Sequence, residues 1–260
     1  MSAQKYTHHL PRLVGMVHLP PLPGAPLYAG DFEDVLKRAQ RDARALVASG
    51  FDGLMIENYG DVPFFADRVP AITIAAMARI ASHIIADHPA TKVGINVLRN
   101  DAISALSIAQ ACDAQFIRVN VLAGTSVTDQ GIIQSQAAEL LRIRQAWRSQ
   151  VAILADVGVK HAAPLGLSDL GQVAQDTYHR GLADGLIVSG SATGAATSVS
   201  DIETVKTAVP GCPVYIGSGV TEDNFDPTSA DGFIIGTSLK TGGVVSEEKA
   251  KRIVDAATSG

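Results

Sequence analysis

Cysteine is scarce in this chain: Cys112 and Cys212 are the only two among 260 residues. Thiols 100 residues apart offer no metal-type spacing and read as buried thiols of a reducing compartment, with a bridge between them left open. A positive surplus is missing too. With 21 Lys and Arg against 26 Asp and Glu, the net charge is −5, which leaves nothing to neutralise a nucleic acid or to hold an anionic membrane surface. Any anion site must therefore be local, built from backbone dipoles and a few cations. Long unbroken apolar runs are also lacking. The longest, Ile72 to Ala86, is interrupted by Arg79 and His83 and is too short to span a bilayer. No apolar stretch of the signal-peptide kind follows Met1, so the expectation is a cytoplasmic protein without membrane insertion or a nucleic-acid partner.

Core-forming material is plentiful. Apolar residues make up 47% and charged residues 18%, a balance suited to a large core and unlike that of a disordered chain. Eight runs rich in β-branched residues read as buried parallel strands: 13–19, 53–58, 92–98, 116–122, 151–157, 185–190, and the first halves of 214–220 and 232–239. Helical periodicity lies between them. Asp31 caps a helix that Gly50 ends, and Asp101 caps an alanine-rich one. Further helices are expected at 72–87, 132–148, after a Ser168 cap, after the 191–197 loop, at 224–229 and at 246–258. Strict alternation implies a parallel sheet, and eight units imply closure. The expected fold is α/β, a single-domain TIM (β/α)8 barrel over residues 13–260 behind an N-terminal arm, residues 1–12.

A two-strand repeat supports closure. Strands two, four, six and eight are each preceded by Asp and a small residue: Asp52-Gly53, Asp113-Ala114, Asp184-Gly185 and Asp231-Gly232. Alternate strands supply alternate layers of a barrel interior, so such a period fits a filled lumen.

Ionisable and amide residues cluster at the C-terminal strand ends, where barrel sites are built: His18, Glu57, Asn96, Asn120, Asp156 and Ser189. Alternation places Arg118 on the face of Asn120, one layer deeper. A deep guanidinium needs a carboxylate, Glu57 or Asp156, either as chemistry or as a core-filling pair. His18 can shuttle protons near neutral pH, and Glu57 and Asp156 can serve as acid and base. The same three residues could instead ligate a divalent metal, so no cofactor is certain. Lys160 could form a Schiff base or balance substrate charge. Asp61, Arg99, Asn100, Asp101 and Asp129 hold loop or cap positions.

The last two strands end in small residues, Gly217-Ser218-Gly219 and Gly236-Thr237-Ser238. Glycine there lets backbone N–H groups approach an anion, and the loops after strands seven and eight of such barrels commonly hold phosphate. Thr193 and Gly194, in the loop after strand six, could line the same site. The expected ligand is a small phosphorylated metabolite. Self-association through helices stays open.

Together these stretches resemble the BtpA/SgcQ family over residues 10 to 258. The resemblance rests on Gly15–Gly24, Glu57–Phe64, Val97–Asp101, Phe116–Val121, Thr128–Gly131, Asp156 with Val159–Ala162, Ser189–Gly194 and Ile235–Ser238. It implies a barrel of the ribulose-phosphate-binding type. One arm of the family is named for photosystem I biogenesis, which implies a non-catalytic assembly or stabilising role. Another is associated with sugar-uptake gene clusters, which implies carbohydrate phosphate metabolism by an isomerase, epimerase or lyase. The site residues above come from their placement at strand ends.

Overall fold

Eight strands form a closed parallel barrel: β1 (Leu13–His18), β2 (Gly53–Glu57), β3 (Lys92–Asn96), β4 (Phe116–Val119), β5 (Ala152–Val157), β6 (Gly185–Val188), β7 (Val214–Ile216) and β8 (Gly232–Ile235). The computed structural model describes residues 5–158, 162–166, 169–190 and 197–258. Each strand pairs with its neighbour in sequence, and β8 closes on β1 through Leu13 and Phe233. Outside lie α1 (Phe32–Ser49), α2 (Ala71–Asp87), α3 (Ala102–Cys112), α4 (Ala137–Ala146), α5 (Leu170–Gln175), α6 (Val199–Ala208) and α7 (Glu247–Thr258). The expected caps are present at both early helices. Asp31 accepts from the Asp34 N–H, Asp101 accepts from Ser104 N–H, and Gly50 ends α1 in the left-handed region at φ 101°.

Period-two alternation divides the strand residues between two cores. Leu13, Val17, Leu54, Ile56, Val93 and Ile95 face outward beneath the helices. Val14, Met16, Met55, Phe116, Leu154, Ile187, Tyr215 and Ile234 fill the lumen. Two glycines make room for the large rings. A Cβ on Gly94 would lie 2.3 Å from the Phe116 ring, and one on Gly232 would lie 2.1 Å from the Tyr215 ring. The lower lumen is thereby solid, and open space begins only at the C-terminal layer.

The Asp repeat has a concrete role at the opposite, N-terminal face. Asp52, before β2, accepts from the N–H groups of Arg12 and Leu13 at the start of β1. Asp184, before β6, accepts from Ile153 N–H in β5, and Asp231, before β8, accepts from Val214 N–H in β7. Asp113 is the exception. It adopts φ 60° at the end of α3, and the side chain of Gln115 accepts from Val93 N–H in its place. Each even-numbered αβ turn thus satisfies the first or second amide of the preceding strand, which would otherwise be buried without an acceptor.

The N-terminal arm closes that face. Tyr6 and Leu10 pack against the lumen cluster, and Tyr6 N–H donates to Asp184 at 3.0 Å. The same carboxylate takes the Arg144 guanidinium at 2.6 Å in a fully buried pair.

Three sequence expectations change. The helix expected over 132–148 begins only at Ala137, because Thr125–Thr128 and Gly131–Gln134 form an antiparallel hairpin. Gly124 and Gly131, at φ 75° and 97°, permit the turns that flank it, and Ile132 and Ile133 favour strand over helix. No helix forms over 224–229. Asn224 instead accepts from Thr221 N–H, and Asp226 accepts from Thr228 N–H, so side chains compete with helical bonding beside Pro227. Asp169 caps α5 by accepting from Gln172 N–H; the expected cap Ser168 lies outside the described residues.

Candidate functional site

Register brings the polar strand ends to one level. His18 pairs with Glu57, Glu57 with Asn96, and Asn96 with Arg118 along β1, β2, β3 and β4. Of these, His18, Glu57 and Arg118 line a cavity of about 800 Å3 at the C-terminal mouth, whereas Asn96 is buried and off its wall. His18 Nε2 stands 3.7 Å from Glu57 Oε1, with side chains only 13% and 9% exposed. The imidazole also stacks on Tyr59, with ring centroids 4.4 Å apart and planes 20° apart. A histidine held between a carboxylate and an aromatic face is oriented and partly dried, as a proton-transfer group must be.

Arg118 selects Asp156 as its carboxylate. Its Nε and Nη2 donate to the two carboxylate oxygens at 3.0 and 2.8 Å, in a bidentate fork with side-chain exposures of 7% and 2%. Asn120 donates to the same carboxylate at 2.9 Å and the Ser189 hydroxyl at 3.4 Å. Burial alone pulls the guanidinium pKa down, but the charge and hydrogen bonds of Asp156, with the charge of Glu57, outweigh it and hold Arg118 above its ordinary value. Arg118 and Asn120 face the cavity, whereas Asp156 stands behind them. Asp156 therefore holds Arg118 and Asn120 in place, while His18 and Glu57 stand side by side on the cavity wall. This arrangement also dissolves the metal set of His18, Glu57 and Asp156. Among the described residues no group of three or more His, Cys, Asp and Glu side chains could hold a metal ion, and a guanidinium occupies the Asp156 oxygens.

Two amide oxygens in this layer have no donor among the described residues: Asn96 Oδ1 and Asn120 Oδ1. Their orientation is set chemically. Asn96 must give its NH2 to the Arg118 carbonyl and Asn120 its NH2 to Asp156, so each turns its acceptor away from that bond. Buried carbonyl oxygens at 1% and 6% residue exposure call for a hydroxyl, an amine or water as donor.

The two glycine junctions meet on this cavity. Gly217, Ser218 and Gly219 after β7 and Gly236, Thr237 and Ser238 after β8 line its wall. Gly217 and Gly236 are there for space. A Cβ on Gly217 would lie 2.4 Å from Ile187 and 2.6 Å from the Ser189 hydroxyl, and one on Gly236 would lie 2.9 Å from His18. The serine hydroxyls tie the junctions to their surroundings: Ser238 donates to Val220 carbonyl at 2.6 Å, and Ser218 accepts from Gly190 N–H at 3.0 Å. After Gly236 the chain makes a short 3-10 turn, Thr237–Leu239, whose leading amides lack acceptors within the turn.

Lys160, Thr193 and Gly194 lie outside the described residues. The loop acids are structural. Asp61 accepts from Leu22 N–H, Asp101 from Ser104 N–H and Val69 N–H, and Asn100 bridges both main-chain groups of Val121. Arg99 does reach the cavity wall. Sequence reasoning gave no role to Tyr59, which stacks on His18, or to Lys240. Burial lowers the Lys240 pKa, against the opposing pull of Asp42 and Glu57. Tyr59 was within reach of sequence argument, two residues beyond Glu57; Lys240 carried no signal.

Known proteins bear on this geometry at two levels. A protein-family model described as "BtpA family" matches residues 10–259. The Synechocystis protein named "Photosystem I biogenesis protein BtpA" is 48% identical over 94% of this chain and 85% of its own. An uncharacterized protein of Thermococcus kodakarensis is 47% identical over 94% of each chain, and a mitochondrial one of Caenorhabditis elegans is 35% identical over 90% of this chain and 86% of its own. Among solved structures, KGPDC from Streptococcus mutans, in complex with a phosphorylated sugar, superposes with a TM-score of 0.61 over 96% of this chain and 98% of that one, at 13% identity. Phosphoribosyl anthranilate isomerase from Thermus thermophilus gives 0.56 over 95% and 98%, at 12% identity. These structural likenesses establish the TIM-barrel fold.

Proposed function

The chain belongs to the BtpA family, and on that premise we propose an enzyme that acts on a small phosphorylated sugar or related metabolite at the barrel mouth. One observation carries the reading: the β7 and β8 glycine junctions and the His18–Glu57 pair line a single cavity. The junction amides, other than that of Gly217, which donates to the Val188 carbonyl at 2.8 Å, take the phosphate. Glu57 removes a proton from carbon beside a carbonyl, and His18 relays it. Arg118, fixed by Asp156, faces the oxyanion that develops. Asn120 Oδ1 accepts from a sugar hydroxyl. Isomerisation, epimerisation and carbon–carbon cleavage all use this set. The KGPDC barrel, alike in fold, was crystallised with a phosphorylated sugar, which lends support of the fold-analogy kind. The biogenesis role named for the Synechocystis relative supports an assembly factor, but a cavity lined by His18, Glu57, Arg118 and Asn120 is not what such a role requires.

Ribose 5-phosphate and ribulose 5-phosphate, each against its unphosphorylated sugar, test the reading in a thermal-shift assay. A ligand at a hundred times its Kd stabilises by about 2.7 kcal/mol, or roughly 5 to 11 °C for a chain of this size. Shifts confined to the phosphates are expected. Equal shifts with both members of each pair, or none with either, would reject a phosphate site.

A further inference from the structure

The cavity has two unlike walls. Around β7 and β8 it is built mainly from the small and polar residues of the two junctions, with Val220, Ile234 and Ile235 beside them. Around the loops after β1 and β2 it is apolar: Pro21, Leu27, Tyr59, Val62 and Phe64. Three of these are well exposed to solvent, Leu27 at 65%, Tyr59 at 46% and Val62 at 43%. Scattered exposed apolar residues need no explanation, but several sharing one cavity wall do. Tyr59 already covers one face of its ring with His18, which leaves the other side for a second flat group. The cavity, at about 800 Å3, lies in the upper part of the range of roughly 300 to 1,000 Å3 that encloses drug-sized ligands. A bare pentose phosphate is smaller than that, and it is polar on every side, so it would leave this wall wet.

We propose that the ligand is a phosphorylated sugar bearing a flat apolar substituent, aromatic or heteroaromatic, which lies on the Leu27–Tyr59–Val62 wall while the phosphate sits in the β7–β8 cup. The inference rests on the phosphate site proposed above. It assigns these three residues to specificity and leaves proton transfer to His18 and Glu57. The reacting carbons then lie between phosphate and ring, near His18, because His18 ends β1, which adjoins β8 in the barrel, and its imidazole stacks on Tyr59.

Calorimetric titration of the full chain with 1-deoxyribose 5-phosphate, its 1-phenyl derivative, and the unphosphorylated 1-phenyl sugar tests this. The phenyl phosphate is expected to bind at least about tenfold more tightly than the bare phosphate, the scale of a buried ring contact. Leu27→Ser and Val62→Ser, both at exposed positions that folding does not depend on, should bring the two phosphates to within about threefold while leaving the bare phosphate unchanged. Equal affinities in the unsubstituted protein would overturn the ring subsite and spare the phosphate site. A preference that survives both serine variants would overturn the wall as its location. If neither phosphate binds, or the unphosphorylated phenyl sugar binds as well as its phosphate, the phosphate site itself fails and the inference falls with it.

Discussion

Replacing Asp156 by Asn probes the central arrangement of the mouth. The carboxylate accepts two bonds from Arg118, one from Asn120 and one from Ser189. An amide of the same shape keeps one acceptor oxygen and, whichever way it is turned, points its NH2 at the Arg118 guanidinium, donor against donor. More costly is the charge. Arg118 is 7% exposed, and a buried pair broken on one side forfeits about 3 to 5 kcal/mol because the remaining ion stays desolvated. For a chain of this size that is a fall in Tm of about 6 to 20 °C. Urea denaturation followed by circular dichroism reads the loss directly. The double variant Arg118→Met with Asp156→Leu removes both charges and should recover most of it. If Asp156→Asn lies within about 1 kcal/mol of the parent, the fork is not a desolvated pair and the division of labour between Asp156 and Glu57 is wrong. An activity loss in Asp156→Asn therefore says nothing of proton transfer by Asp156 unless stability is measured beside it.

Two further outcomes follow from packing and burial. Gly94→Ala and Gly232→Ala each drive a methyl into the Phe116 or Tyr215 ring at 2.3 and 2.1 Å, so each should lose about 1 to 3 kcal/mol in urea denaturation; parental stability in both would mean that the lumen is loosely filled. Burial, the largest influence, pushes the Cys212 thiol from 9.0 up to about 12. Folded chains thus keep a proton that unfolded chains lose, and the stability present below pH 9.0 drains away as pH rises towards about 12. Iodoacetamide at about pH 9.5 should spare Cys212 in the folded chain and label it in urea, read by peptide mass spectrometry; labelling at the unfolded rate would contradict the burial.

Several features were legible in the sequence because they are local. Period-two runs and helical spacing marked eight strands and seven of the eight expected helices, since each strand's two faces meet different cores whatever the closure. Asp31, Gly50 and Asp101 acted as caps through bonds to residues three or four away. Glycine endings on the last two strands marked backbone that a ligand could approach, and polar residues at strand ends marked the mouth. Other features depend on distances across the lumen, which sequence separation does not encode. Arg118 could have taken Glu57 or Asp156, and only the stagger of the closed sheet puts the Asp156 oxygens at fork distance. The Asp repeat was visible, yet its work on the leading amides of the preceding strand needed the αβ turns in place. At 132–134, local residues favoured either structure until Gly131–Gln134 found Thr125–Thr128 as a partner, and pairing decided for the hairpin. Likewise the apolar wall sets Leu27, from the loop after β1, beside Tyr59 and Val62, from the loop after β2, and only barrel closure puts the glycine junctions of β7 and β8 on the same cavity.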